Sequence, residues 1–256
     1  MTITLEAVTS LTIFHFLLVL CRIGSMIMLM PGVGEMFVPA RVRLLFALGV
    51  SFILTPVLSE HLPPLPDNEM KMTVLLFGEI IIGIFIGAMA RLLQSVVHVA
   101  GMIMAFMSSL GAAMLFDSTQ GSQGSVFGNL LTIMAITLFF ACDLHIFMLR
   151  GISDSYQIFI PGDTLPIEDF STLSATLLSE AFVIGFRIAA PIMVIGLTLY
   201  LAAGVMGRLM PAMQVFFILT PLQVVVSFQV LIITISVGMM LYISHFEDSL
   251  NAIFYP

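Results

Sequence analysis

Charged side chains are scarce in this sequence. Asp, Glu, Lys and Arg together make up 9 % of the 256 residues, whereas they account for about 25 % of a typical soluble domain. Hydrophobic residues reach 60 %. These proportions exclude an ordinary soluble domain. The net charge of −7 comes mainly from acidic loops and argues against nucleic acid or anionic lipid as a partner.

Cysteine and catalytic motifs are also rare. The two cysteines, Cys21 and Cys142, lie inside apolar stretches and are predicted to be buried thiols rather than a disulfide. Asp143 and His145 are two residues apart and point to different faces, and no second histidine follows at three or four residues. This spacing argues against a metal site. Because GxSxG and HExxH are absent as well, the sequence predicts no cofactor and no enzyme activity.

Long apolar stretches fill most of the chain. Stretches of about 20 apolar residues match the hydrocarbon core of a bilayer, which is about 30 Å thick. A very short turn near Arg91–Gln94 predicts a helical hairpin, and the longest loop is predicted at residues 150–176. We therefore expect an all-α, polytopic membrane protein with helices arranged as hairpins in one domain, residues 1–256. The predicted spans are 11–30, 42–58, 72–91, 95–116, 126–149 and 177–206, followed by an apolar tail, 213–245, with room for two helices.

Charged residues and a histidine interrupt these apolar stretches. An ionised side chain at the centre of a bilayer costs about 2.5–3.5 kcal/mol on insertion scales, so it requires a partner or water. The predicted helices should therefore pack against other protein rather than lipid alone. The residues concerned are Arg22, Glu79, Asp143, His145, Glu180 and Arg187.

Glu79, Gly83, Gly87 and Arg91 follow one another at a spacing of four residues. Residues 83–87 form a GxxxG motif, which allows the backbones of two helices to approach closely. Two interpretations overlap here. The stripe is either a helix–helix packing face with charges at its ends or a contact face for other subunits.

Glu180 and Arg187 are seven residues apart, so they lie on one helical face about 10 Å from each other. Pro191 follows one turn later and is expected to kink this helix. A proton or ion relay is one interpretation, but relay carboxylates usually occur in denser clusters. Structural pairing between helices is the favoured one.

Residues 106–125 pass from small apolar residues into a polar run rich in serine, glutamine and glycine. By composition alone this segment is an ordinary surface turn. Its glycines permit motion without establishing it.

Five patches in order along the chain resemble the FliR family, the flagellar type III export-gate component, and its injectisome counterpart, the SctT family. The resemblance covers nearly the whole chain and is most specific in the last patch, which contains Arg208, Pro211 and Gln214. The patches are PGVGEMFVPARVRLLFAL (31–48), GEIIIGIFIGAMARLL (78–93), DSTQGSQGSVFGNLL (117–131), DLHIFMLRGISDS (143–155) and APIMVIGLTLYLAAGVMGRLMPAMQVFFILTPLQVVV (190–226).

This resemblance implies a non-enzymatic core subunit of the flagellar export gate, in the bacterial inner membrane at the flagellar basal body. FliP-like, FliQ-like and FlhB-like subunits are the implied partners, and unfolded export substrates pass through the closed channel that they form. A loop of the FliR-like subunit is implied to help plug this channel. Here the loop corresponds to Leu110, Gly111, Ala112, Ala113, Met114, Leu115, Phe116, Asp117, Ser118, Thr119, Gln120, Gly121 and Ser122.

The resemblance also implies that the buried charges find their partners in other subunits. An ion-coupled secondary transporter is the alternative function, with Glu79, Glu180 and Arg187 at a midplane site, but no inverted repeat is evident. A membrane-embedded hydrolase lacks its catalytic residues. The residues expected in buried charge pairs or subunit packing are Arg22, Glu79, Gly83, Gly87, Arg91, Asp143, His145, Glu180, Arg187, Arg208, Pro211 and Gln214.

Overall fold

The computed structural model describes residues 5–111, 125–163, 167–210 and 215–254. In these ranges the chain is almost entirely helical and contains no β-strand, which confirms the all-α prediction. The helices are α1 (Leu5–Leu29), α2 (Ala40–Leu58), a 3₁₀ turn (Ser59–His61), α3 (Glu69–Met107), α4 (Val126–Ala141), α5 (Leu144–Ile158), α6 (Ile167–Leu209) and α7 (Val215–Phe254).

Local sequence explains where several helices begin and end. Pro39 immediately precedes α2 with an extended backbone, and Gly32 adopts a left-handed φ of 81° in the turn after α1. Glu69 lies in the first turn of α3, and Arg208 lies in the last turn of α6. These charges complement the helix dipole, which favours acidic groups at the N-terminus and basic groups at the C-terminus.

Five described helical segments are long and apolar enough to cross a membrane. A sixth candidate exists if α4 and α5, which meet at an angle of 67°, count as one bent span. The prediction of a polytopic membrane protein is thereby confirmed. The five segments are Thr9–Leu29, Ala40–His61, Glu69–Met107, Ile167–Leu209 and Leu219–Phe254.

Three of the helices are much longer than a bilayer requires. α3, α6 and α7 contain 39, 43 and 40 residues. At a rise of 1.5 Å per residue these helices are roughly 60 Å long, about twice the thickness of a hydrocarbon core. If one of these helices stands upright in a membrane, a large part of its length therefore lies outside the hydrocarbon core.

The predicted hairpin near Arg91–Gln94 is wrong, because α3 continues without a break through this segment. Arginine, leucine and glutamine are good helix formers, and the segment contains neither glycine nor proline. Leu93 and Val96 are fully buried, so the helix keeps one packed face here. A local increase in polarity does not by itself end a helix.

Three other sequence-based boundaries also need correction. The apolar tail forms one helix, α7, which continues through Pro221. α6 contains Pro191 inside the helix, and the kink expected there stays a prediction. The predicted span 126–149 is interrupted by Asp143, which adopts a left-handed φ of 58°. The predicted loop 150–176 is largely helical, because α5 extends to Ile158 and α6 begins at Ile167.

The helices pack into two compact units. The first unit comprises the residues up to Leu92, residues Phe139–Leu177 and the residues from Asp248. Its core includes the fully buried Met26, and Gly151 lies so close to another helix that a Cβ atom would approach the Phe254 ring to 2.4 Å. The prediction of one domain over residues 1–256 stays a prediction.

The second unit comprises residues Leu93–Leu138 and Leu178–Glu247. The rings of Phe127 and Phe228 pack together in it with their centroids 4.9 Å apart. α3 and α4 approach so closely that a Cβ atom on Gly101 would lie 2.2 Å from the Cα atom of Gly128. Only glycine allows this backbone contact.

We predict that Gly101→Ala lowers the free energy of unfolding by about 1–3 kcal/mol, because the added methyl group forces the backbones of α3 and α4 apart. Gly49→Ala is the matched control, since a Cβ atom there meets nothing within 4 Å. The control should be neutral or stabilising by about 0.5–1 kcal/mol. Thermal unfolding of the two variants in detergent measures the difference, and equal melting temperatures would contradict the packing argument.

Candidate functional site

A buried ion pair between Arg22 on α1 and Glu79 on α3 lies in the first unit. Both residues are almost completely shielded from solvent, with relative exposures of 0 % and 1 %. The Arg22 Nε atom donates to Glu79 Oε2 at 2.6 Å, and Nη2 donates to Oε1 at 2.9 Å. This two-point geometry matches the planar guanidinium to the planar carboxylate, which makes it the strong form of the interaction.

The remaining donors of Arg22 bind α5 and the residue that follows it. Nη1 donates to Ser155 Oγ at 3.2 Å, and Nη2 also donates to the carbonyl oxygen of Phe159 at 2.8 Å. The Cζ atom lies 3.8 Å from the centre of the Tyr156 ring, in a cation–π contact. One side chain therefore connects α1, α3 and α5. We refer to Arg22, Glu79, Ser155, Tyr156 and Phe159 as the Arg22 cluster.

Gly83 and Gly87 bring α3 close enough to α1 for this pair to form. A Cβ atom on Gly83 would lie 2.0 Å from Ser25 Oγ and 2.2 Å from the carbonyl oxygen of Arg22. A Cβ atom on Gly87 would lie 2.8 Å from Leu29 Cβ. The GxxxG motif is therefore a packing face within the chain, as the first of the two interpretations predicts, and a contact with other subunits stays a prediction.

The implied location of the charge partners is corrected for one pair of residues. Arg22 and Glu79 were expected to pair with other subunits, but they pair with each other inside this chain. Sequence reasoning missed this pairing because 57 residues separate the two side chains. The sequence nevertheless contains a signal for this pairing. One basic and one acidic residue lie in separate apolar stretches, and two such residues can compensate each other's charge.

Arg91 ends the stripe on α3 and contacts the loop between α1 and α2. Its Nη1 atom donates to the carbonyl oxygen of Gly34 at 3.3 Å, and Nη2 lies 3.7 Å from Glu35 Oε2. The Arg91 side chain is 42 % exposed, so this ion pair contributes little to stability. It does hold the proline–glycine loop against α3.

A second polar cluster lies in the second unit, at the C-terminal end of α3. Gln223 on α7 is 1 % exposed, accepts a hydrogen bond from Ser109 Oγ at 2.7 Å and donates to the carbonyl oxygen of Met107. The Tyr200 hydroxyl oxygen lies 3.4 Å from Ser109 Oγ. Ser109 adopts a left-handed φ of 65°, which turns the chain out of α3. We refer to Ser109, Tyr200 and Gln223 as the Gln223 cluster.

The Gln223 cluster lies at the start of the segment predicted to plug the channel. Leu110 and Gly111 belong to the described part of the chain, whereas the residues from Ala112 to Ser122 lie outside it. The sequence signal for Gln223 was an amide in a largely apolar run that also contains Gln229, and it was not used to single the residue out. The plug assignment itself stays a prediction.

The other predicted charge sites lie at the surface of the chain. Glu180, Arg187 and Arg208 are exposed, and none of them has an ion pair or hydrogen bond in the described residues. The expected pairing of Glu180 or Arg187 with another helix of this chain is therefore not found there. Pro211 and Gln214 lie outside the described residues, and the packing roles of all five stay predictions.

Asp143 and its neighbours lie at the break between α4 and α5. Asp143 is exposed rather than buried, and its carbonyl oxygen accepts hydrogen bonds from the amides of Ile146 and Phe147 in the first turn of α5. His145 is half-buried beside the Phe140 ring, with 5.2 Å between the ring centres. The expectation that Cys142 is buried is wrong, because it is an exposed free thiol. Within the described ranges, no three His, Cys, Asp or Glu residues group to hold a metal ion.

We predict that Arg22→Leu and Glu79→Leu each destabilise the chain by about 3–5 kcal/mol, because each leaves the other charge buried without its partner. The double variant should be less damaging than the sum of the single variants, and less damaging than Arg22→Leu alone. Membrane-fraction abundance and thermal unfolding in detergent measure these effects. Arg150→Leu, at an exposed arginine on α5, is the control and should be near neutral. Strictly additive losses in the double variant would contradict the pairing.

Comparison with known proteins places these features in a family. Residues 13–249 match the family described as bacterial export proteins, family 1. The chain is similar to the flagellar biosynthetic protein FliR of Caulobacter vibrioides, with 31 % identity over 243 residues that cover 95 % of this chain and 97 % of that protein. The FliR proteins of Bacillus subtilis and Escherichia coli are 29 % and 27 % identical. These matches cover 87 % and 81 % of this chain, and 86 % and 79 % of those proteins.

Proposed function

The chain belongs to the bacterial export proteins of family 1, and we propose that it is a membrane subunit of the flagellar protein export apparatus. The observation that carries this proposal is the family match, which spans nearly the whole chain. Relatives named flagellar biosynthetic protein FliR match it over most of their own length. The five to six helical segments with the length and apolar character of membrane spans support a membrane location.

The proposal extends to the place and partners of the subunit. We assign it to the bacterial inner membrane at the flagellar basal body, together with FliP-like, FliQ-like and FlhB-like subunits. In this assembly it forms part of a closed channel for unfolded export substrates and has no enzymatic role. The exposed charges on α6 support a protein partner, since the hydrocarbon core of a bilayer does not compensate an ionised side chain.

The Arg22 cluster serves this function as an internal scaffold. Both carboxylate oxygens of Glu79 accept hydrogen bonds from Arg22. A carboxylate engaged in this way is poorly suited to binding a transported cation or proton. The geometry therefore gives no support to an ion-coupled transporter that uses Glu79.

A plug role for the segment from Leu110 to Ser122 is part of the same proposal. Its supporting observation is the Gln223 cluster, which anchors the chain where this segment begins. A closed channel needs a segment that is fixed at its base and free to be displaced further along. One hydrogen bond accepted and one donated by the buried Gln223 amide provide such a base.

Gene deletion and co-purification test whether the chain belongs to the export apparatus. Cells lacking the chain should lose motility and flagellar export, and plasmid-borne wild-type protein should restore both. A tagged chain should purify in a stable complex with other small export-apparatus membrane proteins, and native mass measurement then gives the composition. Normal motility in the deletion strain, or a stable chain that purifies only as a monomer, would contradict the proposal.

The plug role predicts a specific loss of sealing. Deleting a few residues between Gly111 and Phe116 should leave the complex assembled but permeable to small solutes, so that cells grow slowly. Gln223→Leu should give a weaker leak, because it removes the amide that bonds the Ser109 hydroxyl and the Met107 carbonyl, a loss of about 1–3 kcal/mol. Uptake of a small dye and growth rate measure the leak.

Thr198→Val is the matched control for Gln223→Leu. Thr198 is exposed on α6, and its hydroxyl group donates only to the carbonyl oxygen of Val194 in its own helix. This variant should seal normally. If the deletion variant assembles at the wild-type level and shows no leak, the plug assignment is wrong.

A further inference from the structure

A groove with a volume of about 1060 Å³ lies in the first unit, beside the N-terminal third of α3. Small-molecule sites in proteins usually enclose about 300–1,000 Å³, so the groove has room for a ligand of that class. We call it the α3 groove. Three stretches of the first unit line it: residues 63–68, one face of α3 from Met70 to Ile82, and the connection between α5 and α6 with the first residue of α6.

Local sequence fixes the walls of the α3 groove. The prolines of segment 63–66 each hold the backbone φ at about −65°, so this wall is set before anything binds. The Nε2 atom of His15 on α1 lies 3.0 Å from the carbonyl oxygen of Pro63, which ties the same wall to the helices of the first unit. In the connection between α5 and α6, Gly162 has a left-handed φ of 97°, and a Cβ atom there would lie 3.2 Å from Leu75 Cδ2. The α3 groove is therefore preformed.

The lining of the groove changes from charged to apolar. Asp67 precedes α3 and Lys71 lies in its first turn, while Asp163 lies on the connection between α5 and α6. All three are exposed. Further along α3, large apolar side chains recur at spacings of three and four residues, so they share one face of the helix. They are Val74, Phe77 and Ile81, each of which is exposed.

The depth of the groove matches one leaflet of a bilayer. Lys71 and Ile81 are ten residues apart, which corresponds to about 15 Å along an α-helix. This length is half of a hydrocarbon core of about 30 Å. α3 is one of the segments that are long and apolar enough to cross a membrane, and its first turn carries charged residues. The charged end of the groove therefore corresponds to the membrane surface and the apolar end to the hydrocarbon.

An amphiphile satisfies both ends of such a groove. Water throughout the groove would leave Val74, Phe77 and Ile81 in contact with solvent. An apolar helix of another protein would cover the charged end without compensating it, and a buried charge without a partner is costly. A molecule with a polar head and hydrocarbon chains places a suitable group at each end. The groove thus favours a membrane lipid.

The charges at the mouth of the groove select the head group. Within the described residues, the side chains of Asp67, Lys71 and Asp163 form no ion pair and no hydrogen bond. One ammonium group and two carboxylates complement a zwitterionic head group, in which a phosphate binds Lys71 and an ammonium binds the two aspartates. An anionic head group without an ammonium would leave both carboxylates uncompensated and would be repelled by them.

We propose that the α3 groove binds one phospholipid whose head group carries a primary ammonium, such as phosphatidylethanolamine. Its chains lie along Val74, Phe77 and Ile81. Glu79 also lines the groove, so the bound chains exclude water from the Arg22 cluster and strengthen the ion pair within it. The inference requires that the chain lies in a membrane, but it does not depend on the flagellar assignment.

Photo-labelling with lipid probes tests the groove. The purified protein, alone or with the subunits that accompany it, is placed in bilayer nanodiscs of phosphatidylethanolamine and phosphatidylglycerol in equal amounts. One of the two lipids carries a photoreactive acyl chain, and mass spectrometry identifies the labelled peptides. Phosphatidylethanolamine should label the stretch from Val74 to Ile81 about two- to fivefold more than phosphatidylglycerol does, the ratio expected for exposed ion pairs. The apolar face of α7 around the exposed Ile233 should show no preference.

Equal labelling of the groove by the two probes would overturn the inference, because the groove would then hold lipid without recognising the head group. Absence of label in the groove, with normal label at Ile233, would overturn it as well, since another protein segment would then occupy the site. Neither result bears on membership in the export apparatus, which co-purification tests separately.

Substitutions at the mouth provide a second measurement. Replacing both Asp67→Asn and Asp163→Asn should reduce the labelling ratio to about one, because the carboxylates that bind the ammonium are lost. Asp67→Lys together with Asp163→Lys should reverse the preference toward phosphatidylglycerol. Glu60→Gln is the matched control, since Glu60 is an exposed acidic residue near the same segment that does not line the groove. A wild-type ratio in the doubly neutralised protein would overturn the inference, and the wild-type comparison decides it if that variant does not fold.

Discussion

The pairing of Arg22 with Glu79 is the interaction on which the first unit depends. Two ionised groups are removed from solvent, so each requires the other at close range. Gly83 and Gly87 allow α3 to approach α1 closely enough for the contact, and the remaining donors of Arg22 reach Ser155 and the carbonyl oxygen of Phe159. Three helices thus meet at one guanidinium group. A chain without this guanidinium group would retain its apolar helices but would lack the contact that joins α1, α3 and α5.

The ionised residues of the apolar helices fall into two classes with different consequences. Arg22 and Glu79 compensate each other and hold the chain's own helices together. Glu180, Arg187 and Arg208 lie on an exposed face and find no partner in the described residues. The first class explains how the chain packs internally. The second class takes no part in this internal packing, and a contact of these residues with another subunit stays a proposal.

Sequence patterns predicted the helical class and most of the spans, because apolar stretches of about 20 residues have few alternatives in a membrane. They failed at Arg91–Gln94, where a short polar segment was taken for a turn although helix-forming residues continue α3. They failed again at Asp143, where a left-handed residue bends an apolar stretch that has no proline or glycine near the bend.

The sequence by itself determined the fold class, the family and the presence of ionised groups in apolar helices, since these follow from composition and from the order of local motifs. The tertiary structure decided which charges meet. Arg22 and Glu79 are 57 residues apart, and no local rule joins them. It also decided that Gln223 anchors the end of α3, because a buried amide acquires its role only from the carbonyl and hydroxyl groups that packing brings to it. Long-range contacts depend on how helices pack, and helix packing is a property of the whole chain.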